Sequence, residues 1–300
     1  MGEEPQPSGG EKYRRLIAAA QRQTKIKVAV AHPCDDVSVR GAVEAAKLRL
    51  IEPILVGPVA RIRRAAQECG LDIGQFELID VEHSHASAAK AVELVRAGKA
   101  EALMKGSLHT DELMSAVVSR ESGIRTERRI SHCFIMDVPG HPDPLIITDA
   151  AVNIAPDLDE KVDIIQNAID LAHAMGLTEV RVAAALCKMA ERGQITGALL
   201  DGPLALDNAI SPQAAVIKKI ESPVAGRANV LVVPDLEAGN MLAKSLSFLA
   251  QAEAAGIVLG ARVPIILTSR ADSLVSRLAS CAVAVLVAAA RRKSAPAAIR

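Results

Sequence analysis

The apolar run VPIIL at 263–267 ends on Thr268, Ser269 and Arg270, and an Ala-rich stretch follows. Two hydroxyls and a guanidinium where a strand gives way to a helix suit an oxyanion. The guanidinium offers a planar fork of donors that matches a phosphate face, and the unpaired N–H groups of a helix start favour negative charge. Asp272 or Ser273 would cap that helix. The alternative is that Arg270 only forms a surface ion pair. A second turn of this kind lies in EALMKGSLHTDELM (101–114), where Lys105, Gly106 and Ser107 follow an apolar run and Thr110 is placed to cap the next helix. Glycine lets backbone approach a ligand closely. The pattern is not the nucleotide loop G-x-x-x-x-G-K-[ST], and the alternative is a plain turn in which Thr110 does nothing but cap. The third turn is VLVVPDLEAGNMLAK (230–244). Its Asp235 is either a cap or a ligand contact, and Asn240 and Lys244, one helical turn apart, face one side.

These turns need strands before them and helices after them. β-branched runs at 25–31, 53–57, 76–80, 101–105, 132–138, 144–149, 180–186, 197–201, 229–234 and 263–268 read as strands. Helical periodicity covers 36–50, 59–69, 85–97, 110–120, 159–175, 211–220, 239–254 and 273–292. Strand alternating with helix predicts an α/β fold with mostly parallel sheets, in which ligands sit beyond the carboxyl ends of strands. The segment RRISHCFIMDVPGHPDPLIITDAAV breaks the rhythm: two strands around a Pro/Gly/Asp turn make a hairpin and mark a change of domain near residue 138.

Composition narrows the chemistry. Lys plus Arg equals Asp plus Glu at 35 each, and there are one Tyr, three Phe and no Trp. A chain with neither a basic field nor stacking platforms is not built for nucleic acid. The five cysteines form no C-x-x-C pair, which points to reduced thiols packed as small core residues. His109, His132 and His141 fit no zinc spacing. No G-x-S-x-G elbow and no G-x-G-x-x-G after a strand occurs. The polar N-terminus has no apolar core of a secretory signal. CAVAVLVAAA (281–290) is half the length of a membrane span and reads as a buried helix. The expected location is the cytoplasm, with no membrane partner.

Taken together, LMKGSLHT, RRISHCFIM, ITDAAVNIAPDLDEKVDIIQNAIDLAHAMG, SPVAGRANVLVVPDLEAGNMLAKSL and IILTSRADS resemble the phosphate acetyltransferase/phosphate butyryltransferase family. The KG and TSRADS turns look more like the butyryltransferase branch, or the acetyltransferase half of proteins fused to an enoyl-CoA hydratase. The resemblance implies an acyl transfer between coenzyme A and inorganic phosphate, with acyl-CoA and phosphate as partners. Coenzyme A is then a substrate, with no bound cofactor, no metal and no covalent acyl-enzyme. It implies the two-domain isocitrate/isopropylmalate dehydrogenase-like fold, with a cleft between domains. The boundaries expected are 1–138 plus 247–300 for the first domain, residues 1–12 being flexible, and 139–246 for an inserted second. A homodimer or larger assembly is implied too.

By the same resemblance, Ser269 and Arg270 are the phosphate-binding pair and Thr268 joins them. Lys105, Gly106, Ser107 and Thr110 line the site from the first domain. Arg129 and Ser131 face it, and Asp235 and Asn240 belong to the segment near the ligands. The acetyltransferase branch carries an acid several positions after the arginine as the proposed base. Here Leu274, Val275 and Ser276 stand there, so Asp272 becomes the candidate. The competing readings are a weakened acyl-CoA- and phosphate-binding protein of the same fold and a nicotinamide-dependent dehydrogenase.

Overall fold

A computed structural model describes residues 10–269 and 272–294; Arg270 lies outside the described residues. The chain divides into two units, residues 1–127 with 255–300 and residues 128–254. The crossings thus fall ahead of the expected 138 and beyond the expected 247. The strand Ser131–Asp137 pairs antiparallel with Leu145–Thr148, which draws it into the second unit. The helix Leu236–Leu249 packs on both of those strands and stays whole on the same side of the boundary.

The first unit runs α1 (Glu11–Gln21), β1 (Ile26–Ala31), α2 (Asp36–Lys47), β2 (Ile51–Gly57), α3 (Val59–Glu68), β3 (Glu77–Asp80), α4 (Ser84–Arg96), β4 (Ala102–Lys105) and α5 (Thr110–Val118). The second follows with β5 (Ser131–Asp137), β6 (Leu145–Thr148), α6 (Leu158–Ala174), β7 (Arg181–Ala183), α7 (Cys187–Glu191), β8 (Leu199–Asp201), α8 (Leu206–Ile210), α9 (Pro212–Ile217), β9 (Val230–Val232) and α10 (Leu236–Leu249). The chain then completes the first unit with β10 (Glu253–Leu259), β11 (Ile265–Ile266) and α11 (Leu274–Ser294).

The first sheet is ordered β3-β2-β1-β4-β11-β10, parallel except for β10. The second is β5-β6-β9-β7-β8, parallel except for the β5–β6 hairpin. Both faces of such strands are covered by helices, so they read as continuous apolar runs. Ile26, Val28, Leu55, Leu103 and Met104 are fully buried in the first unit, each large side chain contributing about 1.5–3 kcal/mol. In the second, Met136, Leu145, Ile147, Val224 and Leu231 form the core.

Helix α11 is long and apolar enough to cross a membrane, but residues 276–289 are buried within the unit. Ser280 Oγ, in its middle, accepts the Gly256 N–H at 2.9 Å and donates to Ser276 O. That is the buried helix expected from the sequence.

Several expectations need correction. Glu11 and Lys12 open α1, where Tyr13, Ile17 and Ala20 bury one face, so the flexible end does not reach residue 12; residues 1–9 lie outside the described set. Helix α10 stops at Leu249 rather than 254, and the residues after it start β10. The short α7 and α8 had no distinct periodicity to announce them.

Candidate active site

The order of the first sheet reverses between β1 and β4: β2 and β3 continue on one side of β1, β4 and β11 on the other. Ligands in open α/β sheets bind at such a switch point, beyond the carboxyl ends. Two of the sequence turns and one unremarked loop meet there.

The β4 turn is seated on the β1 turn by backbone. Gly106 N–H donates to Ala31 O at 2.9 Å, and Ser107 N–H to His32 O at 2.9 Å. Ser107 Oγ donates to the same carbonyl at 2.8 Å and accepts the Cys34 N–H at 3.3 Å. A Cβ on Gly106 would meet the backbone of His32 at 2.6 Å, so a glycine is required here. Lys105 is 5% exposed with its Nζ 3.4 Å from Gly106 O. Thr110 is not the cap expected: it is the first helical residue of α5, and His109 precedes it with its N–H held by Glu112 Oε2 at 2.7 Å.

One strand over, β11 runs parallel to β4, Ile266 opposite Met104, so Thr268 and Ser269 emerge beside Lys105. Ser269 is tied down at both ends of its peptide. Its N–H donates to Asp272 Oδ2 at 2.6 Å, and its carbonyl accepts from Arg277 Nη2 at 2.6 Å. Arg277 Nη1 also donates to Thr268 Oγ1 at 2.9 Å. Ser273, not Asp272, caps α11, its Oγ accepting the Ser276 N–H at 3.1 Å. Asp272 therefore fastens the turn.

Arg277 is a residue the sequence reading missed. It is 3% exposed, and burial lowers its pKa from the usual guanidinium value. Its Nε has no partner among the described residues. A second arginine seven residues after Arg270, on the helix face that must pack under the turn, was the available signal. Gly41 of α2 makes room for it, since a Cβ there would stand 3.2 Å from Arg277 Cδ.

The expected residues of the second unit have partners within that unit. Arg129 is held by Asn153 Oδ1 at 2.7 Å and Glu160 Oε1 at 2.8 Å. Ser131 is fully buried and accepts from Asn167 Nδ2 at 2.8 Å. Asp235 is the N-cap of α10, accepting the Ala238 N–H at 2.8 Å. Asn240 Nδ2 lies 3.4 Å from Ala150 O, and Lys244 Nζ is 5.9 Å from the Phe248 ring, so the two do not converge. Gly239 lets α10 lie against Ala150 and Asp149. These residues build the turns of the second unit.

Three of the thiols are held protonated by burial. Burial pushes Cys34 up to about 11 and Cys133 and Cys281 up to about 12. Among the described residues no three His, Cys, Asp or Glu side chains gather as a metal would need. His132 is buried against Phe134, ring centroids 4.4 Å apart. A cavity of about 520 Å³ opens beside the β1 turn, lined by Cys34, Asp35, Arg40, Arg61 and Arg64 among others.

A family model described as phosphate acetyl/butaryl transferase matches residues 84–187 and 184–285. The chain belongs to that family. A phosphate acetyltransferase of Rhizobium meliloti is 62% identical over 311 aligned positions, covering 98% of each chain. A phosphate butyryltransferase of Clostridium beijerinckii is 37% identical over 295, covering 92% of this chain and 98% of its own. Of the two alternatives drawn from the KG and TSRADS turns, the whole-chain identities favour the acetyltransferase side over the butyryltransferase branch. Among solved structures, a branched-chain phosphotransacylase from Enterococcus faecalis superposes with a TM-score of 0.75 at 28% identity, over 88% of this chain and 99% of that one. A 4-hydroxythreonine-4-phosphate dehydrogenase from Salmonella typhimurium, at 13% identity and a TM-score of 0.55 over 88% of this chain and 100% of that one, shares the fold alone.

Proposed function

We propose that this member of the phosphate acetyl/butaryl transferase family moves a short acyl group between coenzyme A and inorganic phosphate. The observation that carries the reading is similarity along 98% of the chain to a protein named phosphate acetyltransferase. The turns at the ends of β4 and β11 support it with a locus suited to an oxyanion. In this reading the two-unit architecture is of the isocitrate/isopropylmalate dehydrogenase type, coenzyme A is a substrate rather than a resident cofactor, and the chemistry needs no metal. The working protein is a cytoplasmic homodimer or larger assembly with no nucleic-acid or membrane partner.

Physically, the thiolate of coenzyme A attacks the carbonyl carbon of an acyl phosphate, negative charge gathers on the carbonyl oxygen, and phosphate departs. Arg270 and Ser269 hold the phosphoryl oxygens, with Lys105 beside them supplying a second positive charge. Thr268 and Asp272, with Arg277, keep the turn in shape. Loss of a single donor to such an oxyanion typically costs about 2.7–4 kcal/mol of transition-state stabilisation. Gly106, Ser107 and Thr110 form the neighbouring wall. Holding both substrates at one sheet end supplies much of the remaining acceleration. The arginines of the cavity beside β1 offer charge to the phosphorylated nucleotide end of coenzyme A.

The test is release of free thiol from acetyl-, propionyl- and butyryl-CoA, measured with and without added phosphate. Phosphate-dependent release, abolished in a folded Arg270→Ala variant, is the expected result. Thiol release indifferent to phosphate would refute the reading.

A further inference from the structure

The family's usual acid after the arginine is missing at 274–276, and Asp272 spends its Oδ2 on Ser269 N–H. A second candidate for the base stands where β1 ends. We propose that His32, at the carboxyl end of β1, is the catalytic residue that takes the proton from the coenzyme A thiol through its Nε2. The proposal deepens the acyl-transfer reading and rests on it.

The first observation is orientation. Ser87 Oγ donates to His83 O at 2.9 Å, so toward His32 it acts as acceptor, and the 3.1 Å contact is a donation from His32 Nδ1–H. That fixes the tautomer: the proton sits on Nδ1 and the lone pair on Nε2. A base whose far nitrogen is held by a third group is the arrangement seen wherever histidine activates a thiol or hydroxyl. The second observation is the other ring nitrogen. The buried side-chain polar atoms without a partner among the described residues are His132 Nδ1, Asn208 Oδ1 and Arg277 Nε. His32 Nε2 is not one of them and makes no hydrogen bond with a described residue, so in a side chain 5% exposed its lone pair is left for a proton.

The third observation is place. His32 has a φ of 55°, a left-handed conformation that costs energy in a non-glycine residue and is concentrated at functional sites. Its carbonyl is the seat of the Ser107 turn. It follows β1 directly, while Lys105 ends β4 and Thr268 follows β11. Two strand spacings, about 9–10 Å, therefore separate His32 from Thr268. A sulfur and a phosphate on one carbonyl carbon, with a hydrogen bond at each end, fill that span.

The fourth observation is charge state. Burial, then Arg61 of α3, lowers the His32 pKa, with His83 adding slightly, while Glu112 of α5 and Asp35 of the same loop pull it back up. The imidazole is neutral at physiological pH, as a base must be.

The step balances. The S–H bond breaks, its proton goes to His32 Nε2, and the sulfur electron pair forms the C–S bond. The C–O bond to phosphate breaks, and phosphate leaves with that electron pair. In the reverse direction imidazolium returns the proton to the departing thiolate. The sequence carried a signal for this: AVAHPCD places a histidine directly after an apolar run.

The experiment follows kcat/KM for coenzyme A, in the direction that consumes acyl phosphate, between about pH 5 and 9. His32→Asn is the variant of choice, because asparagine tolerates the left-handed conformation. The wild type should show a plateau through neutral pH and a fall only below the ordinary imidazole range, because burial lowers the His32 pKa. His32→Asn should lose about 10² to 10⁴ in rate and gain a profile that climbs with thiolate toward about pH 8.5. Ser87→Ala, which leaves the imidazole but frees its tautomer, should show a smaller loss with the acid limb moved. An active His32→Asn enzyme with the wild-type acid limb overturns the proposal while leaving acyl transfer intact. A wild type without phosphate-dependent turnover overturns both.

Discussion

Gly106→Ala tests whether the β1 and β4 turns depend on each other. The φ of Gly106 is ordinary, so space alone is at issue. An added Cβ would sit 2.6 Å from both the carbonyl carbon and oxygen of His32, with Ala31 O closer still. Against the 3.4 Å at which ordinary contact begins, the methyl group is 0.8 Å too close to His32 and 1.0 Å too close to Ala31 O, and each of these atoms is main chain. The turns must part by about that distance, stretching the 2.9 Å bonds from Gly106 N–H to Ala31 O and from Ser107 N–H to His32 O. Overpacking of this kind costs about 1–3 kcal/mol, and each kcal/mol lowers the melting temperature by about 2–4 °C in a unit of this size. Displacement approaching 1 Å at a reacting centre costs about 100-fold in rate. Thermal unfolding and phosphate-dependent thiol release measure the two effects. A variant with the Tm and kcat/KM of the wild type would show that the turns are not seated on one another.

Arg277→Met should raise the KM for phosphate while leaving that for acyl-CoA in place, because it frees Thr268 and Ser269 O; steady-state kinetics with each substrate varied will show whether the loss is selective. Asp272→Asn keeps an acceptor for Ser269 N–H and should retain most activity, whereas Asp272→Ala should not; a loss of about 10² to 10⁴ in the Asn variant would instead make the carboxylate a base. Iodoacetamide at neutral pH should leave activity unchanged, since burial pushes the Cys34 thiol up to about 11; rapid inactivation would contradict that. Burial holds His132 at about 4 against its ordinary 6.5, despite the pull of Asp149. The unfolded imidazole takes up its proton near 6.5 and the folded one only near 4, so stability falls as pH drops through that window, by about 3 kcal/mol in all. Urea midpoints at neutral pH and near pH 4 should show the loss, and His132→Gln should flatten it.

The loaded turns were legible because their residue types are rare after an apolar run: Gly106 between Lys105 and Ser107, and Arg270 after two hydroxyls. The hairpin of β5 and β6 was legible from PGHPDP. What stayed hidden depends on partners distant in sequence. Arg277 sits amid small and apolar helix residues and acquires its task only when α11 packs beneath the β11 turn. Ser131 was expected beside Arg129 at the site, and its buried partner Asn167 lies 36 residues away. Strand β10 was hidden by alanine, which suits a helix, and by Gln251, which turns the chain at a φ of 56° where the eye seeks glycine.

The position of β11 also bears on how the molecule is made. β11 occupies the slot between β4 and β10, yet β4 ends at Lys105 and β11 begins at Ile265. A ribosome adding about 5–20 residues per second needs roughly 8–32 s to cover that interval. Throughout it the nascent first unit carries a bare strand flank, the kind of edge that recruits strangers, whereas the second unit has all its strands once Val232 is made. Nascent chains stalled before residue 265 should therefore be the aggregation-prone ones.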